Sequence, residues 1–535
     1  MLLKSRIKGE GHMRKIVLLL LLAGLMLMVG CSASNGGKNI TENVAKDEIT
    51  ISAGVNLVAG GFDPTTGYGV WAPDIFHSHL LQVKENNQLV NDLATSYDIS
   101  ADGLTYTFKI RNDAKFADGH SLTSEDVAFT FETTKSKASA ADLTMLDSVE
   151  ALDESTVVFR LKAPWSTFVF NLSEVGIVPK HLYNENYGDH PMGSGAWKVA
   201  EFAVDQKLIL VPNEHYYGPI PKFKKVTILK LDEDAALAAA KSGQLDLVLV
   251  ESEFASTPVD GMKLYRMSAM DAFTINLPTI PETTDPSGQK VGNNVTSDPA
   301  IRKALNIGIN RQLITQNALN GFGQVTYGAA KELPWSNGDM FKDNQVEEAK
   351  KILEDAGWKD TDGDGIREKN NIKAEIVITG RSNDLARYNT VVALAEDVKK
   401  LGIQIIPKSA PWSECREARN LPTCWVFGQP NPIEFYRYYD SSQIGVAVIG
   451  NPASYTNPEV DAVIQKALAA TNSDEANKYW QEGQALAQKD IPYLWIVRPE
   501  VTYLVKEGLK IPSLQKLPTR GQGISIVENM NEWSW

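Results

Sequence analysis

Asp360, Asp362 and Asp364, followed by Gly365 in GWKDTDGDGIREKNN, have the alternate spacing that opens an EF-hand calcium loop. Such a loop needs a bidentate carboxylate at its twelfth position, and counting from Asp360 that residue is Asn371. The strand pattern IKAEIVITG follows where an EF hand needs a helix. Asp and Gly also favour tight turns for their own backbone reasons. The stretch reads as a polar turn, with a weak calcium site as the alternative. His77 and His79 are a second candidate pair for a metal. The spacing of APDIFHSHLLQV predicts a helix, on which residues two apart point to different faces, so they do not form a metal pair there. Cys415 and Cys424 are nine apart, and a local disulfide or two free buried thiols both stay open. The chain has no Gly-x-Ser-x-Gly elbow, no Walker A loop and no His-Glu-x-x-His, so catalysis has no positive support.

The elements that must position these residues form a large chain. Its 535 residues suggest two or three domains. Hydrophobic residues make up 43% and charged residues 22%, as in soluble globular proteins, and the net charge of -13 argues against a nucleic-acid partner. Met13-Arg14-Lys15 is a short basic region, and the apolar run Ile16 to Val29 is too short to span a bilayer but suits a signal-peptide core. It ends in LMVGCSAS, which resembles a bacterial lipobox with Cys31 as the lipidated residue, although Met28 stands where Leu is preferred. An ordinary secretory signal is the alternative, and either places the mature protein outside the cytoplasmic membrane. Residues 1–12 add nothing a signal needs, so Met13 is the expected start of a signal ending at residue 30. Residues 31–47 are rich in small polar residues and read as a flexible tether.

Strands and helices alternate through the remainder, so the fold class is α/β with mixed sheets. TYTFKI and STVVFRLKAPW read as strands, and LTSEDVAFTFE as a helix with Thr123 or Ser124 as N-cap. KKVTILKLDEDAALAAAKSGQLDLVLV is a βαβ unit and implies a partly parallel sheet. DPAIRKALNIGINRQLITQNAL reads as one capped helix, VEEAKKILEDAG as a helix closed by Gly357, and TVVALAEDVKKLG as one closed by Gly402. PYLWIVRP is a late strand.

Several blocks together are similar to the solute-binding proteins of ABC importers, in the large oligopeptide- and nickel-binding family 5. They are LVNDLATSYDISADGLTYTFKIRNDAKFADGHSLTSEDVAFTFE, MGSGAWKV (with Ala196 for the usual Pro), NEHYYGPIPKFKKVTI, AAAKSGQLDLV and IRKALNIGINRQLI. The resemblance implies a two-lobed binding-protein fold with residues 48–275 as lobe I, including an inserted subdomain at about 84–190, and 276–496 as lobe II. Residues 497–535 return to lobe I. The lobes join through a hinge near FTINLP and WIVRPE. It further implies a monomeric, membrane-anchored extracytoplasmic lipoprotein without a cofactor, which closes on a solute and docks on an ABC permease.

Site residues follow from the same resemblance. Trp412 matches an aromatic before an Arg-bearing helix, and Arg419 an arginine whose guanidinium fork meets a ligand carboxylate. Phe427, Gln429 and Asn431 lie on the expected cleft loop, and Trp71 on its floor. Family peptide binders place an Asp in a Gly-Trp-x-x-Asp loop; here Phe427 stands at the Trp, and Asn431, without the charge, is nearest to the Asp, with Glu434 as a substitute. Nickel-chelate binders use an Arg in the insertion and a His in lobe II; this chain offers Lys135 and Lys137, and no His after His215. His77 aligns with a family Tyr and reads as a packing residue. A peptide-like ligand leads, a metal chelate is second, and an extracellular hydrolase is a distant third.

Overall fold

The computed structural model describes residues 46–70, 73–84, 88–137, 139–338, 341–428, 431–446, 449–512 and 524–535. The signal, Cys31 and the tether up to residue 45 lie outside the described residues, as do Trp71 and Gln429. No described helix is long and apolar enough to cross a membrane.

The first sheet is built on Glu48–Ser52. Ile49 and Ile51 alternate with less buried neighbours, the period of a strand. This strand pairs in parallel with Lys225–Leu229 on one side and with Leu247–Val250 on the other. The helix Glu233–Lys241 connects those two, with Glu233 and Asp234 in its first turn, where the helix dipole favours carboxylates. This is the βαβ unit expected from the sequence. The hairpin Trp197–Ala203 and Lys207–Pro212 widens the sheet in antiparallel fashion.

A second group of strands runs Cys424–Phe427, Ala272–Asn276, then the first half of Tyr493–Lys506. The parallel pair Glu375–Arg381 and Gln404–Ala410 adjoins it through a single bridge from Thr379 to Thr423. Tyr493–Lys506 belongs to both halves of the fold. Tyr493 to Val497 pair with Ala272–Asn276, whereas Thr502 to Val505 pair with Leu247–Val250. The chain crosses a second time between Met262–Ser268 and Ala272–Asn276. Arg498 Nε donates to the Ala269 carbonyl at 2.9 Å, so the crossings touch. The stretches FTINLP and WIVRPE thus lie side by side as ladder partners.

The inserted segment forms a four-stranded antiparallel sheet in the order Ala94–Ile99, Thr105–Ile110, Thr156–Leu161, Leu146–Asp153. Its helix Ser124–Ser136 starts where expected: Thr123 is the N-cap, and the Asp126 carboxylate accepts from the Thr123 N–H at 2.9 Å. The insertion closes against the second lobe. Trp165 meets Tyr436 edge to face at 5.5 Å, Phe170 meets Trp335 at 5.9 Å, and the Ser166 N–H donates to the Leu468 carbonyl at 2.7 Å. One apolar core runs without a break from Phe108 and Phe159 through Trp165 to Trp425 and Trp480.

Two local expectations are corrected. DPAIRKALNIGINRQLITQNAL is two helices, Pro299–Gly308 and Arg311–Leu319. Asn310 starts the second by accepting from the Leu313 N–H, and the buried Arg311 anchors it through Asp343 at 2.6 Å and the Trp495 carbonyl at 2.7 Å. The stretch 73–80 is not helical. The Asp74 carboxylate captures the Phe76 and His77 amides at 2.9 and 3.0 Å, a local bond that competes with helix formation.

Candidate ligand cleft

The carboxyl ends of five parallel strands converge on one cleft of about 840 Å³. From the first lobe come Gly54, Val55 and Asn56 after Glu48–Ser52, Lys230 and Leu231 after Lys225–Leu229, and Glu251 after Leu247–Val250. From the second come Arg381 at the end of its strand and Trp412 just past Gln404–Ala410. Side chains at strand carboxyl ends project beyond the sheet, which is where open α/β folds hold ligands. Asp271, on the crossing from Met262–Ser268 to Ala272–Asn276, also borders the cleft.

The walls differ in charge. Arg381 lays its guanidinium over the Trp412 ring, 5.3 Å from the centroid, and its Nε donates to Asn383 Oδ1 at 2.6 Å. Trp412 in turn meets Trp425 edge to face at 5.9 Å. Arg387 is buried and paired with Asp384 at 2.6 Å. The opposite wall carries Glu233 and Glu251, with Lys230 beside them. Glu251 stays open to solvent, yet the cleft walls strip much of its water. That desolvation, with Glu233, Asp384 and Glu253 close by, pushes its carboxyl up to about 7. A cation and two indoles thus face carboxylates across the space.

The residues named from the sequence divide. Trp412 stands in the cleft wall. Phe427 is 1% exposed and stacks on Tyr438 at 3.7 Å, so it is a core residue. Asn431 is buried beside a smaller cavity; its Nδ2 donates to Glu174 Oε1 at 3.4 Å, joining the second lobe to the insertion. Glu434 borders that same cavity, and burial, against the help of Arg437 and Tyr438, pushes its carboxyl up to about 7. Arg419 donates from Nη1 to the Arg416 carbonyl at 3.0 Å and is not among the residues that border the cleft. Arg381, Arg387, Glu251, Asp271 and Trp425 border it and were not named from the sequence. The available signal was their position: Arg381 and Glu251 stand where apolar strand patterns end.

The other candidates resolve into structural parts. Asp360 accepts from the Gly363 and Gly365 amides at 2.7 and 3.0 Å, and Lys373 pairs with Asp362 and Asp364. The acidic turn is held by its own backbone and a lysine. Cys415 and Cys424 are free buried thiols, and burial pushes Cys424 up to about 12. Because residues 73–80 are not helical, His77 and His79 both approach Asp74, at 2.9 and 3.9 Å. His77 also meets the Tyr187 hydroxyl at 2.7 Å and is buried, a packing role.

Two lobes joined by adjacent crossings, with strand ends facing a shared cleft, define a solute-binding clamp. The chain belongs to the bacterial extracellular solute-binding proteins, family 5, whose model matches residues 88–472. It is 27% identical to the oligopeptide-binding protein AppA of Bacillus subtilis (strain 168), over 93% of this chain and 96% of that protein. It is 30% identical to Protein XP55 of Streptomyces lividans, over 92% of this chain and 89% of that protein. Its fold is similar to NikZ from Campylobacter jejuni, solved in complex with Ni(L-His), with a TM-score of 0.77 at 24% identity, covering 92% of this chain and 100% of that one.

Proposed function

We propose that this protein captures a peptide-like solute between its lobes and delivers it to an ABC permease, with no catalytic step of its own. The observation that carries this is the charge division of the cleft: Arg381 on Trp412 for a ligand carboxylate, with Glu251 and Asp271 for a ligand amine. The backbone adds a second means of capture. Cys424–Phe427 has Ala272–Asn276 as its ladder neighbour on one side and meets Glu375–Arg381 on the other only through the Thr379–Thr423 bridge, and Val426 borders the cleft. An extended peptide can add to such a sparsely paired edge through main-chain bonds that ignore side-chain identity. The name of the Bacillus relative, an oligopeptide-binding protein, supports the same ligand class.

In this reading residues 48–275 form lobe I, with the insertion at about 84–190, residues 276–496 form lobe II, and 497–535 return to lobe I. The pairing of Tyr493–Lys506 with strands of both halves supports the last assignment. Removal of a signal ending at residue 30 leaves a lipid on Cys31, which holds the protein beside its permease; Cys31→Ser releases it from the membrane fraction.

A metal chelate is the second reading, with the Ni(L-His) bound to the Campylobacter protein in its favour. No histidine borders the cleft among the described residues, so such a chelate is gripped through its organic part. Native mass spectrometry of gently purified protein, followed by denaturation, separates the two. A ladder of peptide masses supports the proposal. A single small mass with a nickel isotope pattern replaces it with the chelate.

A further inference from the structure

Away from the cleft, on the inserted subdomain, three side chains bring metal-ligating atoms together. Asp118 Oδ2 lies 2.9 Å from His120 Nδ1 and 2.7 Å from His181 Nε2, and the two imidazole rings stand 4.1 Å apart. The ligand atoms of Asp118, His120 and His181 all fall within 4.8 Å of one another. None of the three borders the cleft.

The backbone fixes both sides of this group. Asp118 and His120 sit in a tight turn closed by the Phe116 N–H to the His120 carbonyl and the Gly119 N–H to the Phe116 carbonyl, each at 2.9 Å. Asp118 spends Oδ1 on the His120 amide at 3.0 Å, which aims Oδ2 outward between the imidazoles. His181 comes from a separate turn, where the Leu182 and Tyr183 amides both donate to the Pro179 carbonyl. That turn is tied to the helix Ser124–Ser136 by the Lys180 N–H to Asp126 Oδ1 at 3.0 Å. A third imidazole stands at the rim: His215 Nε2 is 3.3 Å from where a β-carbon on Gly119 would sit. Three of the chain's seven histidines therefore gather at one turn.

We propose that Asp118, His120 and His181 form a surface site for a divalent transition cation of the Zn²⁺, Ni²⁺ and Cu²⁺ class. Two imidazole nitrogens and one carboxylate oxygen suit those ions, whereas Ca²⁺ and Mg²⁺ prefer all-oxygen sets. The cation replaces the protons that now bridge the rings to Asp118. With three ligands from the protein and solvent beyond them, it keeps an open position for water or an outside ligand.

Zn²⁺ titration of the untagged full-length chain against a fluorescent chelator at pH 7.5 tests the site. Saturable binding is expected, weakened at least about 10-fold by each of Asp118→Asn, His120→Asn and His181→Asn. Asp362→Asn, in the acidic turn, leaves it unchanged. His120→Lys provides a second variant that opposes the cation by charge. Paramagnetic Ni²⁺ added in trace amounts broadens the ring resonances of His120 and His181 before those of His190. Absence of saturable binding, an unchanged affinity in the three variants, or earlier broadening at His190 overturns the proposal.

Discussion

The Arg381 guanidinium lies over the Trp412 indole, 5.3 Å from its centroid, although 30 residues and a helix separate the two in the chain. The contact holds a charged fork at the cleft surface without neutralising it, since an indole attracts the cation but offers no acceptor. Arg381→Ala is therefore expected to weaken peptides with a free terminal carboxylate by about 10- to 100-fold, the worth of one charge-assisted hydrogen bond. Peptides amidated at that end should lose little. Calorimetric titration of both peptide forms decides it, with Arg419→Ala as the comparison that stays near wild type.

Glu251 sets a pH dependence for ligands with a cationic amine. Desolvation and neighbouring Glu233 raise its carboxyl to about 7 in the free protein, so it is charged above that pH and neutral below it. The ammonium needs the charged form. Affinity should thus fall between pH 7.5 and 5.5, where an α-amine itself stays protonated. In Glu251→Gln the pH step disappears. A step that persists in this variant assigns the effect to another group.

Glu434 acts on stability instead. Its folded pKa of about 7 lies above the unfolded value, so the folded state holds the proton more tightly. Stability from this group is greatest in acid and declines as pH rises toward 7, by up to roughly 3 kcal/mol. Glu434→Gln should raise the melting temperature more at pH 8 than at pH 5. Equal gains at both pH values would contradict a titrating Glu434.

Gly428 stands at φ +151°, and a β-carbon there would sit 2.2 Å from the Met270 carbonyl oxygen. That oxygen belongs to one of the two crossings, where Arg498 also holds the Ala269 carbonyl. Gly428→Ala should cost roughly 2–4 kcal/mol in denaturant unfolding. A loss below 1 kcal/mol would mean that the crossing relaxes freely.

Trp165 clasps the insertion to the second lobe through Tyr436. Trp165→Ala should shift the molecule toward an open form, seen as a larger radius of gyration in X-ray scattering, and lower ligand affinity about fivefold. An unchanged radius with normal affinity would place the closing energy elsewhere.

Elements were readable where local chemistry decides them. The Thr123 capping box, the glycine stops at Gly357 and Gly402, and the βαβ pattern around Glu233–Lys241 all carry their own signals. The break at Asn310 was missed because the buried Arg311 that enforces it is held by Asp343 and Trp495, both distant in sequence. The cleft was hard to read for the same reason. Glu251 and Arg381 are single residues at strand ends, and only the tertiary arrangement turns strand ends into opposing walls. Phe427 misled because an aromatic next to a cleft loop can as well stack inward, here on Tyr438.

Tyr493–Lys506 is one unbroken strand shared by both halves of the molecule, with Pro499 near its middle. Relative motion of the halves that keeps these ladders intact must bend or twist this strand, not slide one half past the other. Such a strand twists reversibly and resists shear, because shear would break the ladders on both sides at once. Closure on a solute would in this way be read out as a change of angle at this strand. A membrane partner that senses this angle can distinguish filled from empty protein without touching the solute.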